Sequence, residues 1–460
     1  MKRVRGMPAF LGAAAVIRSA IVSAFQTTTR VHGFLPIETP VAEHSRVFTR
    51  SLGPNSDIVS KEMFAVSRAS SPSPSSSGKE EDSVVLRPEG TAGVVNALVG
   101  AKALSNPSLA QSAVRVAYAG PMFRYERPQR GRERQFTQLG VEALGGSVGS
   151  GGVDAVDTVA SGVAFLGSLG LAPGTDYVLA INTLGGSGCQ RRYGEVLRAH
   201  FEDARGRGEL SEDSEARLER NAVLRILDSK HPDDAAAVSS APCLLDTPGV
   251  LSEGAQTRFG NLRRGLDDAG IPYQIEPRLV RGLDYYSDAV FEAVGTSPAL
   301  GASQATLLAG GRYSGLASAM GNKKDVPGIG WAAGMERLAL ALSDRVEGDA
   351  PFVQSALAAA RPIAILPSSP TDVPAATALL TRLRSHPGIQ QLGAPLITDS
   401  SPSKSLSKSL RRADQASARL AVIVGADIVV RNLDTGSQLN VVAPLDLDLL
   451  CTHIIDPLES

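Results

Sequence analysis

PMFRYERPQRGRERQFTQLGVE, residues 121–142, is the stretch on which the fold turns. It sets Arg124, Arg127, Arg130, Arg132 and Arg134 within eleven residues, yet Met122, Phe123 and Tyr125 precede most of them and Phe136, Leu139 and Val141 follow. A disordered basic tail has no such apolar brackets. Apolar and polar residues alternate on both sides of the turn-forming RPQRGR, which predicts two antiparallel strands with a loop at the tip. Arginines then project from a rigid sheet, where planar, permanently charged guanidinium groups grip phosphate oxygens in pairs. Read alone, the stretch fits a polyphosphate platform and a solvated, salt-bridged hairpin equally well.

Working outward, 460 residues are enough for two or three domains and a large core. A formal net charge of −1 neither signals nor excludes a nucleic-acid partner, because local patches matter more than the sum. Cys189, Cys243 and Cys451 are odd in number, scattered and without metal-ligand spacing, so neither a disulfide framework nor a zinc site is expected and a reducing compartment fits better. The six histidines form no HExxH-like cluster, and no metal site is expected. No uninterrupted run of 18 apolar residues exists, so neither a spanning helix nor a membrane partner is expected. Residues 1–30 lack acidic residues and carry arginines on an alanine-rich run, a composition shared with organellar transit peptides.

Along the chain, residues 13–29 read as a helix and GFLPIETPVAE (33–43) as a short strand broken at Pro40. The serine-rich 68–83 reads as a flexible insertion. VVLRPEGTAG (84–93) runs from a strand through a turn at 88–90 into a helix near Thr91. Residues 147–152 read as a loop and 154–169 as a helix, while 173–270 alternates helical patterns with polar loops and reads as a helical insertion. Strands return at 273–286 and 288–294, followed by GGRYSGL (310–316) and GIGWAAGMERLALAL (328–342). After a linker at 347–360, residues 361–460 begin with the buried-type strand PIAILP. Helices near 375–385 and 406–418, a strand at 420–425 and a hairpin turning at 434–436 follow, the pattern of a small α/β domain.

Four stretches share one character, a charged or aromatic group in a strand beside glycine or a helix start: LRPEGTAG (86–93), the hairpin, LVRGLDYYSDAVFE (279–292) and GIGWAAGMERLAL. Together, in order and spacing, they resemble the histidyl-tRNA synthetases, a family of class II aminoacyl-tRNA synthetases. The resemblance runs from about Arg5 to the C-terminus. GFLPIETP is similar to class motif 1, the arginine hairpin to motif 2 and GIGWAAGMERLAL to motif 3. LVRGLDYY and GGRYSGL resemble the two signatures that set the histidine family apart. The fold implied is an α+β catalytic domain whose antiparallel class II synthetase sheet is flanked by helices. Residues 1–172 and 271–346 form that catalytic core, 173–270 the helical insertion, and 361–460 a C-terminal α/β anticodon-binding domain.

The resemblance also implies a reaction: the histidine carboxylate attacks the α-phosphate of ATP, pyrophosphate leaves, and histidine passes to the 3′ end of tRNA(His). Charge accumulates on phosphate oxygens, so fixed cations in a dry site matter more than a base. By resemblance, Arg124 and Arg281 hold the α-phosphate, Glu126 the adenine amino group, Phe136 stacks on adenine and Arg337 reaches the γ-phosphate. ATP would come as substrate with Mg²⁺, with no permanently bound cofactor. L-histidine would meet Glu142 and Tyr286 at its imidazole, with Glu89, Gly90, Thr91 and Gln138 about its amino group; Arg124 and Arg281 reach it too, and Tyr285 and Tyr313 line the pocket. An analogue lacking the ring N–H would leave Glu142 unpaired, at a cost of roughly 1–3 kcal/mol. Gln129 and Arg130 at the tip are placed to meet the tRNA acceptor end, and Lys404, Lys408, Arg411 and Arg412 give the C-terminal domain a basic helix for tRNA.

The chain departs from the family pattern at Ala9, where an acid follows RG, at Thr137 in place of histidine, and at Ser314 in place of aspartate. Near 426–430 the usual hairpin is short, which predicts local distortion of the C-terminal domain. RGMPAFLG (5–12) resembles the family's opening signature, making 1–30 the first helix of the catalytic domain rather than a transit peptide; a presequence would lie upstream. The resemblance further implies a homodimer built on motif 1. It places the protein in the cytoplasm if bacterial, and in a mitochondrion or chloroplast if eukaryotic, to which the bacterial-type LRPEGT beside a serine-rich insertion points. The alternative is a non-catalytic paralogue, a regulatory subunit of ATP phosphoribosyltransferase or a tRNA-sensing domain, against which the complete hairpin, Arg281, Arg337 and the C-terminal domain argue.

Overall fold

The computed structural model describes residues 3–53, 56, 58–67, 83–105, 112–280, 285–301, 305–343, 350–399, 405–441 and 446–459. Arg281, Lys404 and the serine-rich 68–82 lie outside the described residues. The chain divides into two compact units, Met1–Phe10 with Arg18–Ala350, and Leu11–Ile17 with Pro351–Ser460.

Helix α1 (Ala13–Val31), which belongs to the first unit from Arg18 onward, buries Ile21, Phe25 and Thr29 there. Strand β1 (Leu35–Pro36) follows, then β2 (Ala42–His44), α2 (Ser45–Leu52), β3 (Phe64–Ala65), β4 (Val84–Leu86) and α3 (Thr91–Gly100). The hairpin consists of β5 (Val114–Phe123) and β6 (Gln135–Leu144) and leads to α4 (Val153–Ser168). Then come β7 (Tyr177–Thr183), α5 (Ser187–Gly206), α6 (Glu212–Glu219), α7 (Ala235–Ser239), α8 (Glu253–Asp268) and β8 (Gln274–Ile275). Strand β9 (Tyr286–Gly295), β10 (Thr306–Tyr313), α9 (Leu316–Ala319), β11 (Gly328–Gly334) and α10 (Met335–Ser343) complete the unit.

Eight strands form one sheet in the order β1-β5-β6-β11-β10-β9-β7-β8, antiparallel apart from the β1–β5 and β7–β8 pairs at its edges. Alternation along β11 separates the two faces. Ile329, Trp331 and Ala333 are buried, and Trp331 stacks on Phe165 of α4 with centroids 5.8 Å apart and meets Phe25 of α1 edge-on at 5.9 Å. Its indole N–H is satisfied by Thr158 O and Ser161 Oγ, both at 3.0 Å. The glycines of β11 occupy the opposite face.

Two stretches differ from the expectation drawn from the chain. Within 173–270, YVLAINT forms β7 and pairs with β9 inside the main sheet, so the helices begin only at Ser187. Six of its seven residues are buried, and a strand covered on both faces lacks the period-two alternation that would have separated it from a buried helical segment. Within 347–360, α11 (Pro351–Ala359) takes the place of a linker, favoured by its alanine content and by proline at the first helical position. The insertion is pegged by Asp234, fully buried, which accepts from Ser211 N at 2.6 Å, Ser211 Oγ at 2.9 Å and Ser214 Oγ at 2.6 Å.

The second unit carries a five-stranded sheet of order β13-β12-β14-β15-β16. Its elements after α11 are β12 (Ile363–Pro367), α12 (Val373–Arg384), α13 (Pro387–Leu392), β13 (Leu396–Thr398), α14 (Leu406–Gln415), β14 (Leu420–Val424), β15 (Ile428–Asn432), β16 (Gln438–Val441) and α15 (Leu447–Glu459). Ile363, Ile365, Leu420 and Val422 face one core with α12, α13 and α15, and Ala364, Leu366 and Ala421 face another with Ala413 of α14. Where distortion was expected near 426–430, β14 and β15 pair regularly from Leu420↔Asn432 to Val424↔Ile428. The shortened connection closes as a tight turn in which Gly425 N donates to Asp427 O at 3.1 Å.

Candidate active site

The small-residue face of β11, with Phe136, Gln138 and Glu142 of β6, Tyr286 of β9 and Ala309 and Tyr313 of β10, floors a cleft of about 400 Å³, lined also by the start of α3 and by the hairpin loop, a size that fits a small-molecule ligand. Glycine makes its depth possible. A Cβ on Gly330 would lie 2.0 Å from Glu142 Oε2 and 2.4 Å from Val141 O, and one on Gly328 would lie 2.2 Å from the Tyr313 ring.

Glu142, on β6, is 1 % exposed. Its Oε1 accepts from Thr91 Oγ1 at 2.6 Å and its Oε2 from Tyr313 Oη at 2.8 Å. Burial pushes its carboxyl up from 4.5 to about 8, and the two hydroxyl donors offset only part of that. Glu89 is also buried, and its two oxygens accept from Thr91 N at 2.8 Å and Ala92 N at 2.7 Å, capping α3. Burial raises its pKa as well, against those backbone donors and the nearby Arg124. Gln138 Oε1 accepts from Gly90 N at 2.9 Å, tying β6 to the same helix start. Tyr285 lies 4.6 Å from Tyr286 and 5.7 Å from Tyr313, centroid to centroid. Burial raises the pKa of Tyr285 and Tyr313, keeping both as neutral hydroxyls.

At the other end of the cleft stand Arg124, Glu126, Phe136 and Arg337. Arg124 Nε donates to Pro88 O at 2.9 Å and its guanidinium lies 5.2 Å from the Phe136 centroid. Arg337, at the start of α10, donates to Thr306 O at 3.2 Å. Its neighbour Glu336 is buried and accepts from Thr137 N at 3.1 Å and Arg18 at 3.0 Å, while Arg18 also donates to Thr137 Oγ1 at 2.9 Å. Thr137 thus helps join α1, β6 and α10.

The hairpin differs from expectation in where its arginines sit. Regular pairing stops at Phe123↔Gln135, so Arg127, Arg130 and Arg132 lie in the loop as RPQRGR implied, but Arg124 and Arg134 stand just beyond the ladder rather than within the strands. Pro128 has no N–H for a ladder, and Gly131 at φ 77° closes a tight turn around the Gln129–Arg132 bridge. The loop is held from outside, by Tyr125 N donating to Glu62 O at 2.7 Å and Gln135 N to Gly6 O at 2.9 Å. Arg132 forms an ion pair with Glu126. Arg134 lies 4.0 Å over the Tyr125 ring and donates to Glu126 O at 3.0 Å. Gln129 and Arg130 are exposed at the tip, outside the cleft. In the second unit Arg411 and Lys408 are exposed on α14, whereas Arg412 is engaged with Asp399 at 2.8 Å and 2.9 Å.

The structure adds residues that local reading did not single out. Tyr118 of β5 is buried beneath the cleft, its phenol raised by burial and by Glu142 and Glu89; the small residues Gly90 and Gly140 that leave room for it were the available signal. Arg87 donates to Pro121 O at 2.9 Å and Thr39 O at 2.7 Å, locking the strand before LRPEGT onto the hairpin. Arg217, Arg225 and Asp228 of the insertion also line the cleft; nothing in their sequence context pointed there. Among the described residues, no three His, Cys, Asp or Glu side chains converge as metal ligands, and no helix is long and apolar enough to cross a membrane.

An antiparallel sheet that presents an arginine hairpin, a deep carboxylate pocket and a helix-start arginine, in a chain that also carries a separate α/β unit, defines a class II aminoacyl-tRNA synthetase. A family model described as histidyl-tRNA synthetase matches residues 6–338. The chain belongs to the histidyl-tRNA synthetase family. It is 39 % identical over 446 residues to the histidine–tRNA ligase of Rhodospirillum rubrum, covering 95 % of each chain, and 38 % identical over 460 residues to that of Gluconacetobacter diazotrophicus, covering 99 % of this chain and 98 % of the relative. The crystal structure of apo histidyl-tRNA synthetase from S. aureus superimposes with a TM-score of 0.69 at 28 % identity, covering 98 % of this chain and 99 % of that one.

Proposed function

We propose that this cleft activates L-histidine with ATP and that the protein then transfers histidine to the 3′ end of tRNA(His). The observation that carries the reading is Glu142, a buried carboxylate held by Thr91 and Tyr313 at the floor of a cleft whose other end is cationic. An imidazole that shares one proton with Glu142 satisfies it, and Tyr286 lies beside it. The ammonium is received by the remaining lone pairs of Glu89 and Gln138 and by Thr91. Its carboxylate then points towards Arg124 and, by the family pattern, Arg281. Phe136 offers a face for adenine and Glu126 an acceptor for its amino group, for which the Arg132 pair must open. Arg337 takes the γ-phosphate end, and Mg²⁺ travels with the nucleotide phosphates.

In the first step a histidine carboxylate oxygen forms a bond to the α-phosphorus and the bond to the bridging oxygen breaks, pyrophosphate leaving with its electron pair. Fixed guanidinium groups stabilise the charge that accumulates on the equatorial oxygens, in a site that needs no reorganisation. A ribose hydroxyl of the tRNA terminus next attacks the aminoacyl carbonyl and AMP leaves. Gln129 and Arg130 are placed for the acceptor end and Arg411 for the anticodon side. The complete hairpin and Arg337 speak for catalysis over a regulatory or sensing paralogue. Val31 and Leu35, 82 % and 69 % exposed in the motif 1 region, favour a homodimer built there. The reducing interior of a bacterial or organellar compartment fits three free cysteines.

Pyrophosphate exchange into ATP tests the reading: it is expected only with L-histidine present. Equal exchange with other amino acids, or none from folded protein, would overturn it.

A further inference from the structure

The tyrosines of the cleft rest on an irregularity in β9. Gly311 pairs with Val290 and Tyr313 with Tyr286, so Ser287, Asp288 and Ala289 all stand opposite the single residue Arg312. At the centre of this bulge Asp288 has φ 58°, in the left-handed region that a side-chain-bearing residue rarely adopts. Its carboxylate is buried and takes two guanidinium groups from different elements, Arg258 of α8 at 2.7 Å and Arg312 of β10 at 2.5 Å. The bulge's backbone is fixed as well: Asp288 N donates to Gly185 O at 2.8 Å and Leu184 N to Asp288 O at 2.7 Å. Gln190, on the first turn of α5, donates its amide to Tyr286 O at 2.9 Å. Arg258 and Gln190 both belong to the helical insertion, whose apolar core is continuous with Tyr285, Tyr286 and Tyr313.

We propose that Asp288 and Gln190 are positioning residues for the histidine pocket, pinning the Tyr285–Tyr286 segment from the helical insertion. Neither touches the bound amino acid. A bulge with a positive φ at a non-glycine residue costs free energy and persists only when its surroundings over-determine it; here two ion pairs and three hydrogen bonds do so. Releasing one anchor lets Tyr286 withdraw from the imidazole while the ATP end, built on β6 and α10, stays in place. The inference rests on the reading of this cleft as a histidine site, so two readouts are needed.

Gln190→Glu keeps the shape of the side chain but removes the amide donor, and Asp288→Asn keeps the size but cannot neutralise two guanidinium groups. For both, amide hydrogen exchange across residues 285–290 without substrate reads the tether itself, whether or not the protein is active. At least tenfold faster exchange there, with α4 unchanged, is expected. Histidine-dependent pyrophosphate exchange reads the consequence: KM for histidine is expected to rise about 5- to 20-fold while KM for ATP stays within twofold. Unchanged protection, an unchanged histidine KM or an equal rise in both KM values would overturn the proposal. Should Asp288→Asn fail to fold, Gln190→Glu decides. Wild-type protein without histidine-dependent exchange would refute the functional reading, and the protection measurement would still decide the tether.

Discussion

Glu142 makes histidine binding depend on pH in a way that can be worked out from its surroundings. Its carboxyl is raised from 4.5 to about 8, chiefly by burial, so ionising it inside the free protein costs on the order of 5 kcal/mol more than ionising it in water. The stability linked to it is fully present below 4.5 and is lost as pH climbs towards 8. The histidine ring titrates at about 6.5 in water. Between about 6.5 and 8 the free protein therefore supplies one proton on Glu142 and histidine arrives with a neutral ring, so the carboxyl–imidazole pair forms without net proton exchange. Above about 8 a proton must be taken from solvent, and below about 6.5 one must be released, so affinity falls about tenfold per pH unit on either side. Calorimetric titration of L-histidine at pH 5.5, 7.2 and 9, in buffers of differing ionisation enthalpy, measures both affinity and proton uptake. About one proton taken up at pH 9 and almost none at pH 7.2 is expected. Glu142→Gln should weaken binding at pH 7.2 by roughly 1.5–3 kcal/mol, the worth of a hydrogen bond to a charged group. It should keep the acid limb, which belongs to the ligand, and lose the part of the alkaline limb that belongs to Glu142. An identical alkaline limb in both proteins, or flat wild-type affinity from pH 7 to 9, would refute the reasoning.

Three further outcomes test separate parts of the site. Gly330→Ala places a methyl against backbone as well as against Glu142; a loss of about 1–3 kcal/mol in stability by thermal denaturation is expected, together with histidine-dependent exchange reduced at least a hundredfold. Gly167→Ala on α4, where the methyl meets open space, is the matching control. Arg124→Ala should lower kcat for pyrophosphate exchange by roughly 10²–10³, and a full-rate variant would remove Arg124 from the chemistry. Arg411→Ala should leave pyrophosphate exchange unchanged and raise KM for tRNA in aminoacylation severalfold. Light scattering on the full chain is expected to give the mass of a homodimer, and a monomer at working concentration would contradict that part of the proposal.

Much of the site was legible because its signals are local. A period-two pattern around RPQRGR specifies a hairpin, a proline and glycine before Thr91 mark a helix start, and alternate glycines in GIGWAAG leave one strand face bare. The arginine hairpin, the Glu89–Thr91 turn and the strand leading to Arg337 could be placed on this basis, and resemblance in order and spacing supplied the chemistry. The same local logic failed for YVLAINT, because a strand buried on both faces carries no alternation, and for 347–360, where the alanine-rich Pro351–Ala359 forms a helix.

By itself, then, the sequence determined most of the elements, the family and the set of residues available to the site. Only the tertiary structure decided how those residues are used. It directs Arg132 to Glu126 and Arg134 to Tyr125, and sets Arg124 beside Phe136 in the cleft. It joins Glu142 to Thr91 and Tyr313 across sequence separations of 51 and 171, and turns Asp288 into the centre of a bulge held from α8 and β10. The physical reason is common to all of these. Propensity and periodicity act over a few residues, whereas desolvation and ion pairing depend on which surfaces the fold closes together, and that closure leaves no periodic trace in the chain.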